Sequence, residues 1–410
     1  MEDLVRLEAA VTERFGGTDV LMNNAGIQPG SALFGPAEAW AQVIGTNLWG
    51  VIHGARAFVP GMTARGTPGL VVNTGSKQGI TTPPGDPAYN VSKAGVKAFT
   101  VKGRLVAAEW AKVGAGIMWI NKDTFDKYNV KVPTNLAEWQ QACDTFRANG
   151  LGCFREGLAG TSGFVIDTLH SIMDSQEPGL WTKLLAGKAK WTDAGVVQSL
   201  QILQSLTKSK ILDAGAVGIQ QYPDVNNAFL TGKVPMVQMG TWYQQYASVN
   251  SLTAALAGAG VPADTKQVTI LPIAFPDVAG KGNPSTLFTD PDAGQAVNAK
   301  SKVRNAAVTF ALWLGNTKGG QQVVANNLDE FPTLNGVGVQ FDKVTLVNNQ
   351  VQGPALQSIT EQLGKATEVR SYGIGAQLSA ALVQACQQVT SGEAPSSVVG
   401  TIQTAAESDK

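Results

Sequence analysis

The chain has 410 residues, with 31 basic against 31 acidic side chains and a charged fraction of 15%. That length suits two or three domains, and zero net charge without a basic run excludes the electrostatic footprint of a nucleic-acid binder. Two histidines and three scattered cysteines offer no CxxC or HxxxH spacing for a metal, and no apolar stretch approaches the ~20 residues of a membrane span.

The first element is an amphipathic helix. Leu4, Leu7, Val11 and Phe15 recur at helical spacing, and Gly16-Gly17 ends it. This charged start lacks the apolar core of a secretory signal, so the chain as written reads as cytoplasmic. Val20-Leu21-Met22 follows as a short buried strand, and Leu70-Val71-Val72-Asn73 is a second one beyond a long helical segment. Strands alternating with helices imply a parallel sheet covered on both faces. A helix beginning near Ser92 is expected to run through Val101, Leu105, Val106 and Trp110 to Val113-Gly114-Ala115-Gly116. Leu136, Trp139, Cys143 and Phe146 predict another, capped by Thr134 or Asn135 and closed by Gly150. Val268 to Leu271 reads as a strand; 304–316 and 376–391 read as helices.

Tyr89-Asn90-Val91-Ser92-Lys93 places a phenol and an ammonium one helical turn apart. A neighbouring cation favours the phenolate, which suits proton transfer to or from a carbonyl or hydroxyl. Around it stand Asn23-Asn24-Ala25-Gly26 at the end of the first strand, Asn47 in the next helix, and Ser76 after the second strand. With these four motifs in order, the segment resembles the short-chain dehydrogenases/reductases. The resemblance implies that Tyr89 is the proton donor or acceptor and that Lys93 binds the ribose and lowers the Tyr89 pKa. It implies further that Ser76 orients the substrate carbonyl and Asn47 holds a water in the relay, with Asn23, Ala25, Gly26 and Lys93 lining the cofactor, NAD(P). The family's TGxxxGxG turn, whose glycines admit the pyrophosphate at a helix N-terminus, has no counterpart here. The expectation is therefore a tetrad without a cofactor cradle, an oxidoreductase segment that binds no nicotinamide well.

From about Val113 the motifs change. Ile117 to Asp126 leads into Val132-Pro133-Thr134; later come Asn227 to Met236, Met239-Gly240-Thr241-Trp242, Asn298 to Lys302, and Phe331-Pro332-Thr333. This order resembles the extracellular carbohydrate-binding solute-binding proteins of ABC importers. A sugar offers apolar C–H faces and a rim of hydroxyls, so its site needs flat aromatic surfaces with fixed polar groups. The resemblance points to Trp242 as the tryptophan facing the cleft. Phe164 and Asp167 lie on a segment that the family turns toward that cleft. Tyr222, Tyr243 and Tyr246, with Asp224 and Asn226, supply polar aromatic surface nearby. Trp119 stays open between ligand and core, whereas Trp139, Trp181, Trp191 and Trp313 are expected in the core. Cys143 and Cys153 are expected as reduced thiols in a cytoplasmic chain and as a small disulfide loop in an exported one. Cys386 is expected in the core, and His53 and His170 support no hydrolase triad.

These readings add up to an α/β chain. A partial doubly wound, Rossmann-like segment over 1–112 is fused to a partial two-lobed periplasmic-binding-protein fold over 113–410, with the start of each family's pattern absent. The expected function is sugar binding as the substrate-binding component of an ABC transporter, impaired by the missing part. Its partners are a small sugar and the importer's membrane subunits, with no nucleic acid, no metal and no membrane span. The competing class is an NAD(P)-dependent oxidoreductase. A third reading is a rearranged gene, an engineered fusion or an assembly error in which neither segment works.

Overall fold

A computed structural model describes the chain except residues 28–34, 67–68, 74–86, 99, 102–103, 106–107, 161–162, 263–264, 284–286, 296–303, 335 and 410. The chain divides into two compact units. One comprises Met1–Trp110, Ala293–Val323 and Thr333–Asn335; the other comprises Ala111–Asp292, Val324–Pro332 and Gly336–Lys410.

In the first unit, the helix Glu2–Phe15 ends at Gly16, whose φ of 77° is the left-handed conformation that glycine adopts without a steric penalty. Strand β1 (Val20–Asn23) pairs in parallel with β2 (Leu70–Asn73), and the helices Ala37–Ile44, Gly50–Ala64 and Pro87–Ala98 accompany them. The expected parallel pairing is present. Coverage on both faces is not seen among the described residues: Leu21 and Asn23 are buried, while Val20 and Met22 are 60% and 61% exposed. The period of two places alternate residues of a strand on opposite faces, and only one face of β1 meets the core of Leu21, Phe58 and Met62. The stripe on the first helix likewise contributes no buried residue.

The helix expected through Trp110 stops at Ala98. A two-stranded hairpin follows, β3 (Thr100–Val101) with β4 (Arg104–Leu105), and then the eight-residue strand β5 (Ala108–Ala115). Val113 and Gly114 therefore lie in a strand rather than a turn. Trp313, expected in the core, lies 40% exposed on the helix Arg304–Asn316, its ring 6.0 Å from that of Phe310.

The second unit is built on a sheet whose central strand is β6 (Ile117–Asn121), buried along its whole length. Its order is β7 (Phe154–Arg155), β8 (Met236–Gln238), β6, then β9 (Ile270–Ala274), with β6 antiparallel to both neighbours and β7 parallel to β8. Alternation along β6 divides the core in two. Met118 and Ile120 join the larger cluster with Trp139, Phe154, Trp181 and Trp191, while Ile117 and Trp119 join Val237, Phe229 and Tyr243 on the other face. A second sheet takes the order β11 (Phe331–Pro332), β5, β10 (Phe288–Gln295), β12 (Glu368–Val369).

The helix Leu136–Ala148 begins as expected. Asn135 Oδ1 accepts the Glu138 amide at 3.0 Å, Glu138 in turn accepts the Thr134 amide, and Gly150 has φ 78°. Cys143, on this helix, and Cys153 form a disulfide, their Cα atoms 5.0 Å apart. This is the loop expected of an exported chain, in place of the thiols expected of a cytoplasmic one: the chain leaves the helix at Gly150 and returns the second cysteine within bridging reach. Cys386 is a free, buried thiol, as expected.

Candidate functional site

In the second unit, the segment after β8 carries Trp242 on a short 3-10 helix, Thr241–Ala247. Gly240 allows this placement, because a Cβ at that position would collide with the Trp242 ring. Phe164, which opens the helix Phe164–Gln176, has its ring 5.9 Å from Trp242 and 5.7 Å from Tyr222. The Trp242 indole N–H donates to the Tyr222 hydroxyl at 3.1 Å. The three rings thus form one partly exposed aromatic surface, with fixed orientations.

Arg370 completes it. Its guanidinium carbon lies 4.9 Å from the Trp242 ring centre, a cation–π distance. Both ends of its fork bind Asp167, at 2.8 Å each. Asp167 is 6% exposed and Arg370 19%, so this is a largely desolvated, bidentate pair. Asp290 fixes the Arg370 backbone by accepting the amides of Arg370, Ser371 and Tyr372.

Carboxylates gather on another side. Gln245 donates to the Trp242 carbonyl at 3.1 Å and to Asp329 at 2.6 Å. Burial raises the Asp329 carboxyl, and Asp292 adds to the effect. Burial also pushes the neighbouring Glu330 up to about 9, reinforced by Asp292 and Asp329, so Glu330 keeps its proton at neutral pH. The Tyr222 and Tyr246 hydroxyls are raised by burial first, with the Asp329 charge contributing. The surface therefore offers flat rings, one committed guanidinium, neutral hydroxyls and nearby carboxyl groups, Glu330 among them protonated. Such a set can stack on an apolar ring face and exchange hydrogen bonds with hydroxyls.

Trp119 and Tyr243 stand behind this surface rather than on it. Both are fully buried; the Trp119 indole donates to the Gly240 carbonyl at 3.1 Å, and the Tyr243 hydroxyl donates to Asn226 at 3.0 Å. With no free polar tip and no exposed face, they support Gly240 and the turn that presents Trp242. Asp167 is spent on Arg370. Asp224 is exposed and accepts the Gln220 amide. The expectation for Trp139, Trp181 and Trp191 holds, each at 2% exposure or less. Sequence reasoning missed Arg370 and Glu330; no motif marks Glu368 to Tyr372, and Arg370 meets Asp167 from 203 residues away.

In the first unit the structure brings together Gly26, Asn47, Lys93 and Tyr89. Asn47 is buried on a π-helical turn, Gly45–Trp49. It accepts the Ile27 amide at 2.7 Å, donates to the Ile27 carbonyl at 2.8 Å, and reaches Ser92 Oγ at 3.4 Å. A Cβ at Gly26 would stand 3.5 Å from Asn47 Oδ1 and 3.8 Å from Lys93 Nζ. Lys93 lies 5.6 Å from the Tyr89 ring centre, and burial lowers its pKa. Asn23 is turned into the sheet, donating to Asn73 at 2.8 Å, whereas Ala25 and Gly26 are exposed. Ser76 lies outside the described residues.

Comparison with known proteins finds a likeness for both parts. Residues 68–338 match the bacterial extracellular solute-binding proteins, and the chain belongs to that family. Residues 1–122 match the short chain dehydrogenases, so the two matches overlap over 68–122. The chain is 34% identical over 116 residues to D-beta-hydroxybutyrate dehydrogenase of Rhizobium meliloti, covering 28% of this chain and 43% of that protein. It is 38% identical over 169 residues to 2-(R)-hydroxypropyl-CoM dehydrogenase of Xanthobacter autotrophicus, covering 39% of this chain and 62% of that protein. The chain thus spans about two fifths to three fifths of these curated relatives.

Among solved structures, a chitin oligosaccharide binding protein superposes with a TM-score of 0.56 at 20% identity, over 76% of this chain and 73% of that one. Maltose-bound MalE3 of T. maritima gives 0.57 at 16%, over 76% and 74%. A structure described under xylan utilization by Caldanaerobius polysaccharolyticus gives 0.58 at 18%, over 94% and 99%. These likenesses establish the solute-binding-protein fold, and the likeness to the short-chain dehydrogenases rests on the match over residues 1–122. No helix among the described residues is long and apolar enough to cross a membrane.

Proposed function

We propose that the second unit binds a carbohydrate on the surface of Trp242, Phe164 and Tyr222, and serves as the solute-binding component of an ABC importer. The observation that carries this reading is the fixed aromatic surface with Arg370 held against Trp242 by Asp167. The fold shared with a chitin oligosaccharide binding protein and a maltose-bound protein supports it. The disulfide between Cys143 and Cys153 suits an oxidising compartment, consistent with a family that is exported. The boundary at 112/113 between the two segments is part of the same proposal. Titrating tryptophan fluorescence with chito-, malto- and xylo-oligosaccharides tests it. One class should saturate at micromolar concentration, and Trp242→Ala should weaken that binding on the order of a hundredfold, as loss of a central aromatic anchor does. A flat response to all three, or a variant that binds as wild type does, would sink the reading.

A second reading rests on the approach of Asn47, Gly26, Lys93 and Tyr89 in the first unit. Those residues support NAD(P) binding and proton transfer at a carbonyl, the chemistry of the dehydrogenase family. NADH and NADPH fluorescence enhancement, and carbonyl reduction lost in Tyr89→Phe, would favour it; no enhancement with either nucleotide would exclude it.

A further inference from the structure

The helix Phe164–Gln176 carries His170 and Asp174 four residues apart, on one face, both buried at 1% and 2% exposure. Across from them β12 presents Glu368. Its carboxylate is 3.3 Å from His170 Nε2, and Asp174 Oδ1 is 3.9 Å from the same nitrogen. The three donor atoms all lie within 4.8 Å of one another. Two aromatic rings set the plane of the imidazole: Phe288 stacks on it at 3.8 Å and Trp181 at 4.5 Å, tilted by 14° and 15°.

We propose that His170, Asp174 and Glu368 form a site for a single divalent transition-metal ion, Zn²⁺ by preference. Three observations carry the assignment. Ligand atoms around a tetrahedral zinc, with bonds near 2.0–2.1 Å, stand roughly 3.3–3.5 Å apart, and the His170–Glu368 pair already has that separation. One imidazole with two carboxylates is a borderline nitrogen and oxygen set, which suits zinc or manganese better than calcium, and lacks the thiolate that copper(I) favours. His170 and Asp174 are buried at 1% and 2% exposure, so an ion held between them and Glu368 would be largely shielded from water. Glu368 is 20% exposed, which provides an entry path and room for a water as fourth ligand.

The placement gives the ion a consequence. Asp167 lies one turn before His170 on the same helix, and Arg370 lies two residues after Glu368. A bound ion would tie the helix to β12 at the point that holds Arg370 beside Trp242. The metal readout itself does not depend on sugar binding.

The test uses the full chain, stripped with chelator and then titrated with ZnCl₂ or MnCl₂ against a chromophoric chelator. One Zn²⁺ per chain is expected, with micromolar or tighter affinity, and a higher thermal midpoint when loaded. His170→Asn and Glu368→Gln should each weaken zinc binding on the order of tenfold or more; circular dichroism confirms that each is folded. Glu368→Gln keeps its shape at a partly exposed position, so it remains informative if the buried His170 variant does not fold. Absence of stoichiometric binding to wild type overturns the proposal, as does zinc affinity unchanged in a folded Glu368→Gln.

Discussion

The two units differ in how completely their apolar surface is buried. In the second, both faces of β6 are covered: one cluster gathers Trp139, Trp181, Phe154 and Leu382, the other Trp119, Phe229 and Tyr243, all at zero exposure. Among the described residues of the first, the cluster consists of Leu21, Phe58 and Met62 with partly buried Leu4, Ala57, Val59 and Val71, while Phe15, Met22 and Val20 are each at least 60% exposed. Buried apolar area is the main favourable term in folding. The contrast therefore places most of the apolar burial among the described residues in the second unit. It also separates the two candidate sites: the aromatic surface belongs to the unit with two large clusters, whereas Asn47 and Lys93 belong to the unit whose cluster, among the described residues, is smaller.

Matched truncations test that contrast most directly. Trp139 packs edge-on against Phe154 at 5.1 Å and Phe275 at 5.6 Å with no exposed surface. Trp139→Ala should cost about 3–5 kcal/mol, the usual range for emptying a large core site, read as lost amide protection throughout the second unit. Phe58→Ala, at 6% exposure in the smaller cluster with Leu21 and Met62, should cost less, about 2 kcal/mol, because a small core collapses more readily around a deletion. Equal costs from hydrogen exchange would break the comparison.

The disulfide sharpens it. Cys143→Ser with Cys153→Ser opens a ten-residue loop, and loops of that size stabilise by about 2–3 kcal/mol through the unfolded chain. The loss should appear in the second unit and leave exchange in the first unchanged. A reductant that alters neither unit would show that the bridge contributes nothing to either.

What could be read from the sequence follows from where each element finds its partners. The helix Leu136–Ala148 was legible because its cap, period and terminal glycine lie within seventeen residues of one another. Trp242 was legible through its motif and the small residue before it. The stretch 100–115 was not: Val101, Leu105 and Val106 mimic a helical stripe, while the partner that makes Ala111 and Lys112 strand residues is Phe331–Pro332, more than two hundred residues away. Trp119 sits in the apolar run Ile117 to Ile120 of a strand buried along its length, and a strand buried on both faces gives no alternation from which to tell core from cleft. Arg370 and Glu368 acquire meaning only opposite Asp167 and His170, again about two hundred residues distant. Side chains that carry function through such pairings leave no local pattern.

The smallest expected effect comes from a carboxyl buried in the better-packed unit. Glu156 is fully buried, accepting the Thr168 hydroxyl at 2.7 Å through one oxygen while the other makes no hydrogen bond among the described residues. Burial pushes it up to about 8, opposed by the Thr168 bond and reinforced by Asp167; the nearby Cys386 thiol is held protonated by its own burial. The folded state therefore binds this proton more tightly than the unfolded chain, whose glutamates titrate near 4.5. Its stabilising contribution is fully present below that lower value and is lost as pH rises through about 8. Between pH 6 and 8 the second unit should lose about 2 kcal/mol from this group, at 1.36 kcal/mol per pKa unit, visible as a falling urea midpoint. Glu156→Gln supplies a permanently neutral side chain of the same shape and should flatten the profile over that range. If the variant keeps the wild-type slope, the proton belongs to another group, and the packing of the second unit tolerates an ionised carboxylate better than its geometry indicates.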